Sequence, residues 1–342
     1  MDETTALNRF GFPCRALIPA LAISLILTMS VPAQTPAAVE LLRLDGKIPL
    51  GPVRGRIDHM AIDVAHQRLF VAELGNESLG VVDLATGKTI RTIGGLAEPQ
   101  GVGYAPSVDT IYVANARDGS IRLFHGADYS DAGRIELGSD ADNVRLDADV
   151  HRVLIGYGAG AITIIETTQH KEIGHIRLPA HPEGFQIGGD PKKIFVNVPG
   201  SHGVLVFDGI AGKQTAKWPL AEGANFPMAL DSANGRVLVV SRNPPKLIVF
   251  AEDGSSIAKL DTCADSDDLF VDRKRKRVYV SCGAGSIDVF SQQANTYTRL
   301  ARIATVGGAR TSLFVPDLDL FLLAVRATST EPASIWVFKP QP

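Results

Sequence analysis

Apolar and polar residues alternate along most of this chain in short runs that are typical of β-strands. The clearest unit begins with a segment at 267–272 whose centre is apolar, and a charged turn follows it. A run of β-branched and aromatic residues at 277–281 and a third run at 286–290 follow. Short alternating runs separated by turn residues predict three strands. Helical periodicity is absent after the first part of the chain, so we predict almost no helix.

The same unit recurs along the chain with a nearly constant period. Counterparts of Val278, a marker of the second strand, stand 41 to 43 residues apart, at Leu69, Ile111, Val153, Ile194, Val237 and Phe321. The third strand repeats as well, at Val82, Phe124, Ile165, Phe207, Phe250, Phe290 and Phe338. Four short strands with their connections occupy roughly 40 residues, the size of one propeller blade. Seven markers therefore predict an all-β fold, a seven-bladed β-propeller, whereas a β-sandwich does not explain the constant period.

The last blade lacks a strand of its own. After Arg310 the chain supplies only three strands, the last of them ending at Phe338. One strand precedes the first marker, within residues 38–50. We predict that residues 40–44 or their neighbours form the outer strand of the last blade. An N-terminal strand in this place closes the ring and removes an exposed sheet edge.

The first 33 residues differ in character from the repeats. Arg9 and Arg15 precede an apolar run at 16–31, and small residues then offer a cleavage site after Ala33. This arrangement predicts a secretory signal peptide at 1–33, since the apolar run is short for a membrane span. An uncleaved N-terminal anchor is the alternative. We expect cleavage, a single propeller domain at 34–342 with no membrane span, and a periplasmic or secreted protein.

Composition and charge narrow the classes of partner. Apolar residues form 45% of the 342 residues and charged residues 21%, which suits a folded core. The net charge of −3 excludes a nucleic-acid footprint over the whole surface. One basic run, 273–277, occupies a position in its repeat that corresponds to a turn of blade six. We predict that its charges are solvated and that it forms no specific nucleic-acid site. We expect a monomer.

Two cysteines, Cys263 and Cys282, remain after the predicted cleavage. In an exported protein such a pair forms a disulfide when its geometry allows. As buried free thiols, the two residues behave as small apolar side chains. The sequence leaves both possibilities open.

Several repeat motifs carry a family resemblance: 69–72 reads Leu-Phe-Val-Ala, 111–115 reads Ile-Tyr-Val-Ala-Asn, and 83–88 reads Asp-Leu-Ala-Thr-Gly-Lys. They resemble the YVTN-repeat, YncE-like β-propeller proteins of bacteria, within the lactonase-like propeller superfamily, over roughly residues 38–340. The resemblance implies an exported propeller. Related propellers include lactonases, lyases, quinoprotein dehydrogenase subunits and plain binding modules, so fold alone does not select a function.

Polar residues gather where the innermost strands begin, and these ends converge on the axis of a propeller. Eleven residues before each marker lie Asp58, Gln100, Asp142, Glu183, Phe226, Asp267 and Arg310. Neighbouring positions add Arg56, His59, Asn143, Asn225 and Asp268, and loops after the second strands add further residues such as Asn197, Arg242 and Arg326. Four of the seven residues that lie eleven positions before the markers are carboxylates, which predicts an acidic central mouth. Like charges at an axis raise one another's pKa unless a cation neutralises them.

Three interpretations of the mouth stay open. In the first, Asp58, Asp142, Glu183 and Asp267 hold a divalent cation, Ca²⁺ or Mg²⁺, as the resemblance to lactonase-type propellers implies. His59 and Arg310 are then the candidate catalytic residues, with His59 as general base on a metal-bound water of a hydrolase or lyase.

In the second interpretation the mouth binds a cationic or polyhydroxylated small molecule without turning it over. The candidate ligand-binding residues are Arg56, Gln100, Asn143, Asn225 and Asp268. In the third, the charges are solvated and pair internally through Arg56 and Arg310. A transition-metal site built from His59, His181 and His202 is a weaker alternative. The sequence does not separate an enzyme from a binding module.

Overall fold

Twenty-eight strands form seven four-stranded antiparallel sheets in the computed structural model, which describes residues 40–189 and 192–342. The sheets are the blades of a seven-bladed β-propeller, as predicted. The predicted signal peptide at 1–33 lies outside the described residues. Within them the only helical elements are five 3₁₀ turns, at Leu74–Asn76, Pro106–Val108, Ala148–Val150, Pro199–Ser201 and Pro316–Leu318. No helix in this part of the chain is long and apolar enough to cross a bilayer.

In blades one to six the strands follow one another from the axis outwards. Blade one contains β2 (Met60–Asp63), β3 (Arg68–Glu73), β4 (Ser78–Asp83) and β5 (Lys88–Gly94). Blade two contains β6 (Pro99–Ala105), β7 (Thr110–Asn115), β8 (Ser120–His125) and β9 (Asp131–Glu136). Blade three contains β10 (Val144–Asp147), β11 (Arg152–Tyr157), β12 (Ala161–Glu166) and β13 (Lys171–Arg177).

The second half of the ring repeats this order. Blade four contains β14 (Phe185–Gly188), β15 (Lys193–Val198), β16 (Gly203–Asp208) and β17 (Gln214–Pro219). Blade five contains β18 (Gly223–Asp231), β19 (Arg236–Asn243), β20 (Pro245–Ala251) and β21 (Ser256–Asp261). Blade six contains β22 (Ser266–Asp272), β23 (Arg277–Cys282), β24 (Ser286–Gln293) and β25 (Thr296–Ala304). Blade seven contains β26 (Ser312–Val315), β27 (Leu320–Val325), β28 (Ser334–Pro340) and β1 (Leu42–Pro49).

The N-terminal strand closes the ring, as predicted. β1 pairs with β28 in antiparallel register, with Leu44 opposite Phe338, and it begins and ends a few residues later than the sequence suggested. The Lys339 Nζ lies 2.8 Å from Asp45 Oδ2 across this pair. Lys47 Nζ lies 4.5 Å from the centre of the Trp336 ring. The pairing leaves β28 without a free edge.

Apolar clusters fill the spaces between neighbouring blades. The second and third strands of each blade are almost wholly buried, because another blade covers each face of the sheet. Between blades one and two, for example, Phe70 and Val81 pack against Val113 and Phe124. The outer strands are more exposed, and their exposure partly alternates because successive side chains point to opposite faces of the sheet. A bulge recurs between the third and fourth strands, as between Val81 and Val82, in blades one to six.

A disulfide joins Cys263 to Cys282, which resolves the question that the sequence left open. Cys263 lies in the segment between β21 and β22, and Cys282 ends β23. The same segment is held to the loop after β23, where the Gly283 N–H donates to the carbonyl of Asp265 over 2.8 Å. The bond therefore anchors the chain where it enters the innermost strand of blade six.

Candidate functional site

The segments that enter the innermost strands share one backbone feature. Two positions before the axial residue, the backbone has a positive φ at Glu98, Asp140, Ala224, Asp265 and Gly308. This left-handed conformation is uncommon in non-glycine residues and turns the chain sharply. In five of the seven blades it directs the chain into the innermost strand at the axis, so that equivalent positions meet there.

The axial mouth is a cavity of about 270 Å³ to which all seven blades contribute. We use this name for the cavity lined by Arg56, Asp58, His59, Gln100, Asp140, Asp142, His181, Glu183, Phe226, Arg242, Asp267 and Arg310. Eight of the eleven residues that the sequence singled out lie here: Arg56, Asp58, His59, Gln100, Asp142, Glu183, Asp267 and Arg310. Asn143 and Asp268 line a second cavity beneath the mouth.

Asn225 contributes to packing and lines neither cavity. Its side-chain amide is fully buried and donates to the Asn197 side chain over 2.9 Å and to the Gly203 carbonyl over 3.2 Å. β18 has a register shift between Asn225 and Met228. We conclude that Asn225 joins blade five to blade four, and we no longer count it among the ligand-binding candidates.

The mouth is balanced in charge rather than acidic, contrary to the prediction. Its lining has five acidic side chains and five basic ones, counting the two histidines. The predicted acidic character rested on one position per blade. His181 and Arg242 were named from the sequence only as a candidate metal ligand and as a rim-loop residue, and Asp140 lies two residues before the axial position. Arg242 reaches the mouth from β19.

Arginines neutralise two of the predicted metal ligands. Arg56 Nη2 lies 2.7 Å from Asp58 Oδ2. Asp267 contacts two arginines: Arg310 Nε lies 3.0 Å from its Oδ2, and Arg242 donates to its Oδ1. Arg242 also stacks on Phe226, with its guanidinium carbon 3.8 Å from the ring centre. The two contacts of Asp267 with Arg310 and Arg242 join blade six to blades seven and five at the mouth.

His59 lies among three carboxylates. Its Nε2 is 3.8 Å from Asp58 and 4.0 Å from Asp142, and its Nδ1 is 3.9 Å from Asp268. Burial alone lowers the pKa of His59, but the carboxylates outweigh it and the net direction is upwards. A raised pKa favours the protonated imidazole, which suits a general acid or an anion contact better than the general base we predicted.

Glu183 is the mouth carboxyl without a cationic contact among the described residues. Burial, assisted by the nearby charge of Asp142, raises the pKa of Glu183 to about 8. Burial likewise raises the pKa of Asp58 to about 7, with His59 and Arg56 opposing it. Glu183 is therefore mostly protonated near neutral pH and can donate a hydrogen bond there.

His181 supplies a second imidazole to the mouth, from the same segment as Glu183. Its Nδ1 contacts the Gly158 carbonyl at 2.6 Å and lies 3.4 Å from Asp140. Burial lowers the pKa of His181, but Asp142 and the Gly158 carbonyl outweigh it and raise the value to about 9. His202 follows a 3₁₀ turn and lies outside the lining of the mouth, so the three-histidine site does not form.

The predicted ligands do not fit a hard divalent cation as they are arranged. Among the residues described, no three His, Cys, Asp or Glu side chains are placed to hold a metal ion. Ca²⁺ takes about six to eight oxygen ligands and Mg²⁺ about six in near-octahedral geometry. Asp58 and Asp267 are paired with arginines instead, and Asp142 lies beside two histidines. A cation would have to displace several of these contacts.

Beneath the mouth, a second cavity of about 390 Å³ extends along the axis, and we call it the axial chamber. His59, Glu183, Phe226 and Asp267 line both spaces. The walls below them carry apolar side chains such as Leu230 and Val271. The far end reaches the basic turn of blade six.

The basic turn is largely neutralised within the chain. Arg275 and Lys274 both lie 2.7 Å from the Asp319 carboxylate. Arg277 donates to the carbonyl of Pro342 over 2.9 Å. The turn lies between β22 and β23, at the end of the blade opposite the mouth, where its phase had placed it.

Comparison with known proteins supports the fold alone. No protein-family model matches the chain, and no curated protein matches its sequence. A chain from a crystal structure of the mitotic checkpoint complex superposes with a TM-score of 0.74 at 13% identity, covering 92% of this chain and 98% of that one. A chain of Kuenenia stuttgartiensis hydrazine synthase superposes with a TM-score of 0.70 at 16% identity, covering 87% and 97%. At such low identity the likeness extends to architecture and not to activity.

Proposed function

We propose that this propeller binds a small polar molecule in the axial mouth, directly through its side chains. The ligand carries hydrogen-bond donors as well as acceptors, and a zwitterion matches the mixed charges best. A concave site with converging polar groups at the axis is where a binding site is expected. The YncE-like resemblance of the repeats is compatible with this role, and it rests on the motifs alone.

Unpaired polar atoms at the mouth are the observation that carries this proposal. Within the described residues, Asp142 Oδ1 and Arg56 Nε are buried without a hydrogen-bond partner. One is an acceptor and the other a donor. Each buried group left unpaired costs on the order of 1–3 kcal/mol, so a molecule that supplies a complementary donor and acceptor recovers that energy.

A thermal-shift panel tests the proposal. It compares glycylglycine and other short free peptides, as zwitterions, with trehalose as a polyol. We expect a zwitterion to raise the melting temperature of the wild type with the logarithm of its concentration. The double variant Asp142→Asn, Arg56→Gln should lose that shift, whereas Asp131→Asn, on an exposed outer strand, should keep it. A shift that survives the double variant, or a panel without any shift, contradicts the proposal.

A divalent-cation hydrolase or lyase of the lactonase type is the second proposal. The observation in its favour is the position of His59 between Asp58 and Asp142 at the cavity surface. It requires the arginines to leave the carboxylates before Ca²⁺ or Mg²⁺ enters. Turnover of a lactone or ester panel that disappears with a chelator and in His59→Ala supports it.

We also propose export to the periplasm or the medium. The predicted signal peptide supports this, and so does the Cys263–Cys282 disulfide, since such bonds persist in oxidising compartments. Mass spectrometry of the protein from cell fractions tests it. A mature N-terminus at residue 34 in the exported fraction is expected, and an intact chain confined to the cytoplasm contradicts it.

A further inference from the structure

The axial chamber contains one cation that makes no ion pair with the residues that the structure describes. Four basic side chains line it: His59, Arg145, Arg273 and Lys274. His59 has carboxylates within 4.0 Å, and Arg273 and Lys274 lie 3.5 Å and 2.7 Å from aspartates. Arg145, among the residues described, has no carboxylate within that distance. It is therefore the unpaired positive charge of the chamber.

Arg145 is held rigidly and keeps donors free. Its guanidinium donates to the Phe185 carbonyl at 3.0 Å, the Val144 carbonyl at 2.8 Å and the Asn143 side chain at 3.1 Å. It also lies 5.6 Å from the centre of the Phe185 ring. A guanidinium has five N–H donors, so two remain for a ligand. Burial lowers the pKa of Arg145, as expected for a cation whose charge is poorly compensated.

Asp268, a chamber carboxyl whose charge acts on Arg145, is engaged elsewhere. Asp268 accepts a hydrogen bond from the Ser312 N–H at 2.7 Å through one oxygen and faces His59 with the other. Asp267 contacts two arginines at the mouth. These contacts leave the Arg145 guanidinium open to an anion from the chamber.

Several side chains of the chamber wall are apolar. They include Leu230, Leu269, Val271 and Phe314, together with Phe226 at the boundary with the mouth. The volume of about 390 Å³ falls within the range of about 300–1,000 Å³ that ligand pockets occupy. A cation at one end of an apolar space matches a ligand with a carboxylate head and an apolar body.

We propose that the axial chamber is a second ligand site, which takes a small carboxylic acid with an aromatic or branched apolar body, its carboxylate on Arg145. This site adjoins the mouth, with which it shares four lining residues, but it does not depend on the function proposed there. The free N–H groups of Arg145 form charge-assisted hydrogen bonds to the carboxylate, and the body displaces water from the apolar walls.

The test uses 3-phenylpropionate and its neutral counterpart, 3-phenylpropanamide, titrated calorimetrically into the intact protein. We expect the acid to bind at least about tenfold more tightly than the amide, because a charged hydrogen-bonded pair is worth about 1.5–3 kcal/mol. This comparison needs no substitution. Equal dissociation constants for the two compounds, or no binding of the acid, overturn the proposal.

Substitutions then locate the site. Arg145→Gln should abolish the preference for the acid over the amide, and Arg145→Lys should restore part of it. Val271→Phe, which reduces the volume of the chamber, should weaken both compounds. The matched control is Arg152→Gln, in the next strand of the same blade, where the arginine pairs with Asp147 at 2.8 Å. Binding that survives Arg145→Gln or Val271→Phe unchanged overturns the proposal, whatever the mouth binds.

Discussion

Arg310 and Asp267 form a pair across the boundary of blades six and seven, with Arg310 Nε 3.0 Å from Asp267 Oδ2. Arg242, from blade five, contacts the other carboxylate oxygen. The three side chains are 10% to 18% exposed. One carboxylate therefore links three successive blades at the axis. Its loss leaves two partly buried guanidinium groups with only Asp265, whose side chain is 45% exposed, to compensate them.

Asp267→Asn should accordingly destabilise the propeller markedly. Breaking a buried pair by removing one partner costs about 3–5 kcal/mol, and the residual exposure reduces this to about 2–4 kcal/mol. Chemical denaturation measures the loss. Asp131→Asn serves as the control, because Asp131 lies on the outer strand β9 and its side chain, paired with Arg122, is 56% exposed. It should cost below about 1 kcal/mol. Equal losses in the two variants contradict the structural role of Asp267.

Glu183→Gln should stabilise the protein, increasingly so towards alkaline pH. The folded pKa of about 8 lies above the ordinary pKa of 4.5 for a glutamate, so between these pH values folded Glu183 keeps a proton that the unfolded chain has lost. Stability then falls as pH rises through this window, and glutamine removes the fall. At about pH 8 we expect the variant to have an unfolding free energy about 1–3 kcal/mol higher than that of the wild type, and at about pH 5 almost the same one.

Glu222→Gln provides the matched control, with the opposite sign. Lys259 Nζ lies 2.6 Å from Glu222 Oε1 and outweighs burial, so the pKa of Glu222 is lowered. Its carboxylate stabilises the fold above its unfolded pKa, and glutamine should lower stability at neutral pH. Melting curves across the pH range distinguish the two variants. A Glu183→Gln variant that is no more stable at about pH 8 than at about pH 5, relative to wild type, contradicts the prediction.

The repeat period, together with the position of each residue within its repeat, was sufficient to predict the fold and most residues of the mouth, because every blade repeats one geometry. The repeat positions predicted directly that Asp142 and Glu183 lie at the mouth. They misplaced Asn225, because the register shift in β18 turns its amide towards blade four while Phe226 lines the mouth. The sequence named Arg242 only as one of several loop residues, because it comes from β19, the second strand of its blade, and the spacing of the innermost strands does not apply to it.

The charge state of the mouth could not be read from the sequence either. Four carboxylates in phase suggested a cation site. Their actual partners depend on which arginines lie within a few ångströms, which only the fold determines. The raised pKa of Glu183 likewise follows from its burial and from the lack of a cationic contact.

Ca²⁺ or Mg²⁺ should leave the melting temperature unchanged, because arginines or histidines already contact three of the four carboxylates that a cation needs. A chelator should likewise have no effect. Differential scanning fluorimetry at several ion concentrations measures this. A rise with the logarithm of the ion concentration, absent in Glu183→Gln combined with Asp142→Asn, would instead support the cation proposal.

Removing the disulfide should cost about 2–3 kcal/mol of unfolding free energy. The bond closes a loop between residues 19 positions apart, and its stabilisation in the chain-entropy model is of this size. The variant is Cys263→Ser combined with Cys282→Ser, measured by chemical denaturation. Reduction of the wild type should reproduce the loss and leave the variant unaffected. Equal stability of the variant and the oxidised wild type contradicts the prediction.

Deleting residues 40–50 should open the ring. β1 contributes Leu42 and Ile48 to the buried clusters of blade seven, and its loss exposes the edge of β28 to other chains. Burial of each such side chain is worth about 1.5–3 kcal/mol, so the melting temperature should fall by about 10 °C or more, with aggregation. Point variants separate packing from edge exposure. Leu42→Ala should destabilise, whereas Leu44→Ala, whose side chain is 41% exposed, should not. A deletion that stays monomeric, with the melting temperature of the wild type, would show that β1 does not hold the ring closed.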